Sequence, residues 1–280
     1  MKDFEIEISV AIGLAFDAGE AAMKYYKKPN LLVETKEDNT PVTEADKKAN
    51  EIIVTRLKSL FPYPILSEEE KDDKLRLKEK IVWCIDPIDG TKEFIKGTDN
   101  FAVMIGLIED KKPVLGVVYI PTSDKLYYAL KGEGAYLNED YLKAEKYPEV
   151  NIPKTRRLRV SDTSKLEDSL VLLSSSNESI KALVEKMKPK KVQSGGGFGY
   201  KICEIAEGNF DLYVNNQDKG SEWDSCAPHI ILEEAGGKLT NFDVSEITYN
   251  NKDTRHFNGA IGSNGILHPT VLNFISENYK

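Results

Sequence analysis

Hydrophobic residues recur at steps of three and four along the N-terminal segment, which is the spacing of one buried helix face. The pattern predicts a helix over residues 4–27 that ends before Pro29, followed by a strand pair over residues 31–42. Thr43 is a typical N-cap for the next helix, with Asp46 at its third position. The buried face of that second helix is expected to consist of Ile52, Ile53, Leu57 and Leu60.

Short apolar runs predict strands in the middle of the chain. Tyr63–Leu66 and Ile81–Ile85 both lead into acidic residues, and the polar stretch between them, residues 71–80, is expected to be a solvated, mobile loop. Pro87 cannot extend a strand ladder, so the chain is expected to turn there. Three further runs predict an antiparallel meander: Phe101–Ile108, Pro113–Tyr119 and Lys125–Leu130.

Residues 139–158 are polar, rich in Lys and Pro, and without periodicity, so they form the expected boundary between two halves. We predict an N-terminal α+β half over residues 1–150 and a C-terminal α/β half over residues 151–280. The second half is expected to contain a strand (170–173), a helix (177–188), the glycine run 195–197, a helix (200–207), a strand (210–214), a helix (224–235), two short strands and a last helix (268–278). Because strands and helices mix without strict alternation, the fold class is expected to be α+β (mixed α/β).

Composition and charge exclude several classes of protein. Of the 280 residues, 40% are hydrophobic and 30% are charged, which is typical of a globular chain. The net charge of −8 argues against a nucleic-acid polymer as partner. The cysteines at positions 84, 203 and 226 lack the spacing of a disulfide framework or a zinc ribbon, which favours a reducing, cytoplasmic location. No window approaches about 18 apolar residues, so no membrane segment is expected.

The most informative segment for chemistry is residues 83–94. An apolar strand leads into Asp86, Asp89 follows, and Gly90 and Thr91 look like the start of a short helix. Carboxylate oxygens suit hard divalent cations such as Mg²⁺, and backbone N–H groups at a helix start suit phosphate. The segment therefore predicts metal-assisted phosphoryl chemistry; the alternative is that the same residues are turn formers and a helix cap.

Three other segments carry acidic residues that could join this site. They are residues 67–70 with Glu68, residues 36–46 with Asp38, Thr43 and Asp46, and residues 223–228 with Asp224. Each segment taken alone also has a plainer interpretation. The first would be a solvated acidic loop, and the other two would be ordinary helix caps.

Together these segments resemble the inositol monophosphatase superfamily of Mg²⁺-dependent, often Li⁺-sensitive phosphatases. The family pattern is an acidic pair after a strand, then D-P-[IL]-D-G-T, then a distal W-D followed by a small residue. In this chain the pattern is present in family order as Ser67-Glu68-Glu69, Asp86–Thr91 and Trp223-Asp224. Lys92-Glu93-Phe94, the string K-x-D-x-x-P-V-T-x-A-D at Lys36–Asp46, and Lys201-Ile202-Cys203 resemble the 3'(2'),5'-bisphosphate nucleotidase branch.

The resemblance implies a layered αβαβα sandwich of the inositol monophosphatase and fructose-1,6-bisphosphatase type, with two or three Mg²⁺ ions between its halves. The implied metal ligands are Glu68, Asp86, the Ile88 carbonyl, Asp89 and Asp224. The implied catalytic residues are Asp46, Thr91 and Glu68, of which Asp46 and Thr91 would orient the attacking water. The implied substrate contacts are Gly90, Thr91, Lys201 and Asp224.

The implied reaction is hydrolysis of the 3'-phosphate of adenosine 3',5'-bisphosphate (PAP), or of the related PAPS, by water in sulfur metabolism. The partner would then be a small-molecule phosphate ester, and the resemblance also implies a homodimer, the state of many family members.

Two departures from the branch pattern keep other substrates open. The nucleotidases usually carry serines where this chain has Phe198 and Gly199, and often a string like S-R-S-H at residues 174–177. Both places belong to the leaving-group pocket. The alternative substrate is therefore an inositol monophosphate or a sugar phosphate such as fructose 1,6-bisphosphate. A catalytically silent regulator that binds metal or phosphate is the alternative from a different class.

Overall fold

Seven α-helices lie in the described part of the chain. The computed structural model describes residues 4–29, 31–36, 40–139, 154–174, 178–217, 220–256 and 258–279. The helices are α1 (Glu5–Met23), α2 (Glu44–Leu60), α3 (Thr91–Lys96), α4 (Glu178–Met187), α5 (Phe198–Ala206), α6 (Glu222–Glu234) and α7 (His268–Asn278). No helix within these residues combines the length and the hydrophobicity needed to cross a bilayer. Asp38, residues 175–177 and most of the expected boundary, residues 140–153, lie outside the described residues.

Two large β-sheets carry most of the described strands, and two strand pairs form smaller sheets. The strands are β1 (Val33–Thr35), β2 (Pro41–Thr43), β3 (Ile65–Ser67), β4 (Ile81–Asp89), β5 (Ala102–Glu109), β6 (Lys112–Ile120), β7 (Lys125–Leu130), β8 (Gly134–Glu139), β9 (Lys154–Arg157), β10 (Leu170–Leu173), β11 (Lys191–Ser194), β12 (Leu212–Asn215), β13 (Gly220–Ser221), β14 (Lys238–Thr240), β15 (Arg255–His256) and β16 (Ala260–Ser263). The first sheet runs from β3 to β9 in sequence order. The second has the order β11-β10-β12-β16-β14, and the pairs are β1-β2 and β13-β15.

The two large sheets alternate with helices in five layers. Helices α1 and α2 cover one face of the seven-stranded sheet, and α5 and α6 cover its other face. The same pair α5 and α6 packs against the five-stranded sheet, whose far side is covered by α4 and α7. This order confirms the predicted α+β class and its αβαβα layering. Both faces of β4, β5 and β6 are buried, which explains their nearly continuous apolar sequences.

Most predicted elements are confirmed, with shifted ends. The first helix ends at Met23, earlier than expected, and the strand pair before α2 is β1 with β2. The meander is β5 to β7, and it continues into β8 and β9. Thr43 caps α2, since its Oγ1 accepts a hydrogen bond from the Ala45 N–H while the Thr43 N–H donates to Asp46.

Three local predictions are wrong, each for a physical reason. Leu60 is 43% exposed because it is the last residue of α2, and the chain becomes extended at Phe61. The chain does not turn at Pro87; β4 continues to Asp89 through a bulge, and a bulge tolerates the missing N–H. Residues 71–80 are not simply a solvated loop, since they contain a short 3₁₀ helix (Leu75–Lys78) and the side chain of Arg76 is 1% exposed.

Candidate functional site

Two parallel strands bring the first two acidic segments to one edge of the seven-stranded sheet. Ser67 at the end of β3 pairs with Ile85 of β4, so Glu68 and Asp86 follow neighbouring strand positions. The backbone N–H of Glu68 donates to the Ile85 carbonyl at 3.2 Å, which continues that pairing by one residue. The bulge after Asp86 then carries the chain to Asp89 at the same edge.

The third acidic segment arrives on helix α6, which lies directly against the sheet. A Cβ at Gly116 of β6 would be 2.3 Å from the Ala227 carbonyl oxygen, so the absence of a side chain there permits the close approach. Asp224 is the third residue of α6, and its Oδ2 accepts the Ser221 N–H at 2.5 Å in a capping box. The helix start therefore fixes Asp224 beside β4.

The three aspartates Asp86, Asp89 and Asp224 each offer an oxygen within 4.8 Å of those of the other two. Asp86 and Asp89 are buried, and Asp224 is partly exposed. Burial raises the pKa of all three carboxyls, to about 6 for Asp89, and the negative charge of Glu68 adds to the increase. Ionised carboxylates this close repel one another, so the cluster needs protons or cations to be stable.

The donor set of this cluster fits a hard divalent cation. Asp86 Oδ1 accepts the Ile88 N–H at 3.0 Å, but its buried Oδ2 has no hydrogen-bond partner among the described residues. A buried carboxylate oxygen without a donor is costly, and oxygen ligands from several carboxylates are what Mg²⁺ and Ca²⁺ bind. The orphaned oxygen and the shared negative charge therefore both indicate a cation site.

The first turn of helix α5 holds Asp89 through backbone hydrogen bonds. The backbone N–H of Phe198 donates to Asp89 Oδ1 at 3.0 Å, and the N–H of Gly199 donates to Oδ2 at 2.7 Å. A Cβ at Gly197 would lie 2.2 Å from Asp89 Oδ2, so the preceding residue must be glycine for this contact. The glycine run of the sequence thus positions a carboxylate by its backbone.

Thr91 and Asp46 form a hydrogen-bonded pair beside the cluster. Thr91 Oγ1 lies 3.1 Å from Asp46 Oδ1 and 3.2 Å from the Ile88 carbonyl oxygen. Asp46 Oδ2 accepts hydrogen bonds from the Thr43 hydroxyl at 2.5 Å and the Thr43 N–H at 2.8 Å. Burial raises the pKa of Asp46, and these donors oppose the increase. The N-cap of α2 therefore positions Asp46, which in turn bonds Thr91.

Lys36 neutralises Glu68, and the sequence analysis gave this lysine no role. Its ammonium donates to Glu68 Oε1 at 2.7 Å and to Glu69 Oε1 at 2.5 Å. Burial raises the pKa of Glu69 to about 7, although Lys36 opposes the increase. The lysine stands in the same segment as Asp46, and its basic side chain within that otherwise acidic segment was the available signal.

Lys201 is a predicted substrate contact, but the structure does not place it among the residues that line the cavity described below. It is 5% exposed, its Nζ donates to the Gly196 carbonyl at 3.0 Å, and it lies 5.1 Å from the centre of the Tyr213 ring. Burial lowers its pKa, and Asp89 opposes the decrease. Lys201 therefore stabilises the glycine run through its hydrogen bond to the Gly196 carbonyl.

An open cavity of about 230 Å³ lies at the acidic cluster. Its lining includes six of the predicted residues: Glu68, Asp86, Ile88, Gly90, Thr91 and Asp224. The predicted residues Asp46, Asp89 and Lys201 are not among its lining residues. The lining also includes residues to which the sequence analysis gave no role: Thr40, Pro41, Lys92, Glu93 and Gly196. Lys92 and Glu93 directly follow Thr91 in the sequence, so their position at the start of α3 was the available signal.

Comparisons with known proteins agree with this geometry. A sequence model of the Inositol monophosphatase family matches residues 5–277. A 3'(2'),5'-bisphosphate nucleotidase CysQ from Aggregatibacter actinomycetemcomitans is 34% identical over 87% of this chain and 87% of its own length. An inositol-1-monophosphatase from Bacillus subtilis is 30% identical over 87% of this chain and 86% of its own. The solved structure of the Thermotoga maritima IMPase superposes with a TM-score of 0.79, at 28% identity, covering 97% of each chain.

Proposed function

The chain belongs to the inositol monophosphatase family and is a phosphatase, and from this premise we propose that it is a Mg²⁺-dependent phosphomonoesterase acting on the 3'-phosphate of PAP. The acidic cluster of Asp86, Asp89 and Asp224 is the observation that carries the chemistry. The nucleotide substrate is supported by the similarity to CysQ nucleotidases over most of the chain. PAPS is proposed as a second substrate of the same site.

The proposed metal ligands are the oxygen donors that the family resemblance implies, and all of them except Asp89 line the cavity. They are Asp86, Asp89, Asp224, Glu68 and the Ile88 carbonyl, for two or three Mg²⁺ ions. Bound there, Mg²⁺ supplies charge neutralisation for the phosphate and a lowered pKa for the attacking water. Lys36 partly neutralises Glu68 through its ion pair at 2.7 Å.

Thr91 and Asp46 are proposed to orient the attacking water and take its proton. The Thr91 hydroxyl can donate to Asp46 Oδ1 while its oxygen accepts a hydrogen bond from water. Asp46 is held in place by both donors of Thr43, so the pair is fixed before the substrate arrives. The proton would pass from water through the Thr91 hydroxyl to the Asp46 carboxylate.

Gly90 and Thr91 line the cavity and are proposed to hold the phosphate through their backbone, with Asp224 contacting the substrate as well. Lys201 would act on the nucleotide side through Gly196, because its ammonium holds the Gly196 carbonyl and Gly196 lines the cavity. We further propose inhibition by Li⁺, a homodimer and a role in sulfur metabolism, as the family resemblance implies.

A second candidate substrate is an inositol monophosphate, and one feature of α5 favours it. Phe198 stands where the nucleotidases usually have serine, and its ring packs edge-on against Tyr213 at 5.4 Å between centroids. This position therefore offers a substrate no side-chain hydroxyl. The similarity to the Bacillus subtilis inositol-1-monophosphatase supports the same alternative, and fructose 1,6-bisphosphate is its sugar-phosphate variant.

The deciding experiment is phosphate release from PAP, inositol 1-phosphate and fructose 1,6-bisphosphate in parallel, with Mg²⁺ and with EDTA. A Mg²⁺-dependent preference for PAP would support the proposal, and preference for either other ester would replace the substrate. An enzyme preparation that binds Mg²⁺ but releases phosphate from none of the three would favour the silent regulator. Adding Li⁺ to the best substrate tests the inhibition.

A further inference from the structure

The fully buried side chain of Arg76 joins two segments that are far apart in the sequence. Arg76 donates from Nη1 to Asn250 Oδ1 at 2.7 Å and from Nη2 to the Asn251 carbonyl at 3.0 Å. Its Nε and Nη2 also donate to Asp72 Oδ2, at 3.2 and 2.7 Å. Arg76 is thus bonded within its own segment, which begins at the end of β3, and to a segment 174 residues further along the chain.

The second segment is bonded in turn to the first residue of helix α6. The backbone N–H groups of Asn250 and Asn251 donate to the two carboxylate oxygens of Glu222, each at 2.8 Å. The Asn250 side-chain amide donates to the carbonyls of Arg76 and Glu79, both at 3.1 Å. Glu222 is 1% exposed and stands two residues before Asp224. We call Asp72, Arg76, Asn250, Asn251 and Glu222 the arginine clasp.

We propose that Arg76 is a positioning residue for the cation site, acting through the arginine clasp on Glu68 and Asp224. One end of the clasp is the segment that carries Glu68, and the other end is the first turn of α6, which carries Asp224. This inference rests on the Mg²⁺ site of the proposed function and goes beyond it, because it assigns a role to residues outside the cavity.

The repulsion within the cluster explains why such a tether is needed. Glu68 and Asp224 are like charges on two different elements, and each raises the electrostatic cost of approaching Asp86. The capping box of Ser221 and Asp224 fixes Asp224 on α6 but does not join the helix to the segment of Glu68. The clasp joins the two elements directly, with every guanidinium nitrogen bonded to an acceptor. Partners behind metal ligands commonly set metal affinity in this way.

The test compares Mg²⁺ binding by three variants with the unaltered protein, measured by isothermal titration calorimetry without substrate. Arg76→Met removes the clasp, and Asn250→Gly removes only the side-chain link. Glycine tolerates the φ of 54° at position 250. Lys74→Met is the matched control, because Lys74 bonds Asp72 and the Lys252 carbonyl between the same segments but is exposed.

We expect the Kd for Mg²⁺ to rise about tenfold in Arg76→Met, less in Asn250→Gly, and not at all in Lys74→Met. Thermal midpoints in EDTA are recorded alongside. Variants that have lower midpoints but bind Mg²⁺ like the unaltered protein would overturn the proposal, since the clasp would then be structural only. If Arg76→Met does not fold, Asn250→Gly decides the question. Unaltered protein that binds Mg²⁺ but hydrolyses no ester would contradict the proposed function and leave the clasp standing.

Discussion

The acidic cluster and the arginine clasp each include a carboxylate from the first turn of α6, Asp224 and Glu222 respectively. The charges of the two groups are balanced in different ways. In the cluster, burial raises the pKa of Asp89 to about 6, although the N–H groups of Gly199 and Phe198 and the charge of Lys201 oppose the increase. In the clasp, burial would raise the pKa of Asp72, but hydrogen bonds from Arg76 and Lys74 lower it to about 2. Asp89 therefore favours its protonated form, and Asp72 favours its ionised form.

The difference separates a site that awaits a ligand from one that is complete. The clasp supplies its own cation, and its guanidinium is matched by acceptors from two segments, at Asp72 and at Asn250–Asn251. The cluster contains no cation of its own among the described residues, since Lys36 pairs with Glu68 and Glu69 and Lys201 is bonded to the Gly196 carbonyl. Charge balance in the protein alone thus distinguishes structural carboxylates from carboxylates that bind an external ion.

The largest expected effect comes from removing one charge from the cluster. Asp89→Asn keeps the shape of the side chain but weakens cation binding, so kcat/KM should fall about 10³-fold, as when a preorganised electrostatic partner is lost. The measurement is phosphate release in saturating Mg²⁺, with circular dichroism as the control for folding. A folded variant with near-normal activity would remove Asp89 from the catalytic site.

Removing the cation of the clasp should mainly reduce stability. Arg76→Met leaves the buried Asn250 Oδ1 and the Asn251 carbonyl without their guanidinium donor and removes one of the two cations that bond Asp72. The free energy of unfolding should therefore fall by about 3 kcal/mol. Urea unfolding in EDTA measures the loss without a contribution from Mg²⁺. A loss below about 1 kcal/mol, the range of an exposed ion pair, would show that the clasp contributes no more to the free energy of unfolding than an ion pair on the surface does.

The pH dependence of stability should separate the two regions without mutation. Because the folded pKa of Asp89 is about 6, above its ordinary 3.8, its stabilising contribution is fully present below 3.8 and is lost as the pH rises through 6. In EDTA the cluster should therefore become less stable toward neutral pH, and Mg²⁺ should raise the thermal midpoint by a few degrees more at about pH 7.5 than at about pH 5.

A second titration has the opposite sign and serves as the internal control. Burial lowers the pKa of His268 from 6.5 to about 4, so its contribution is present above 6.5 and is lost as the pH falls through 4. It acts equally with Mg²⁺ and with EDTA, and the difference between the two buffers isolates the cluster. An equal Mg²⁺ effect at both pH values would mean that protons and cations do not compete there.

The smallest effect is expected at the exposed edge of the clasp. Lys74 contacts Asp72 and the Lys252 carbonyl, but its side chain is 47% exposed. Lys74→Met should therefore change the free energy of unfolding by about 0.5 kcal/mol or less, as for other exposed pairs. The same urea experiment tests it beside Arg76→Met. A comparable loss in both variants would indicate that burial is not what gives Arg76 its importance.

The apolar pattern along the sequence predicted the α+β class, and the family resemblance added the αβαβα layering and named the acidic residues of the cavity. Apolar periodicity is a local property, so helices such as α2 and strands such as β5 could be predicted from spacing alone. The family pattern named Asp86, Asp89 and Asp224, which the structure brings within 4.8 Å. These residues could be found because each lies at the end or start of a predictable element.

Which charged side chains are buried, and which groups neutralise them, depends on contacts between segments that are far apart in the sequence. Arg76 stands in a highly charged stretch that predicts a solvated loop, yet it is buried because Asn250 and Asn251 accept its hydrogen bonds from the other half of the chain. Lys201 likewise turns away from the cavity toward the Gly196 carbonyl. Burying a charge is favourable only when distant partners meet it, and the spacing of residues along a chain does not contain that information.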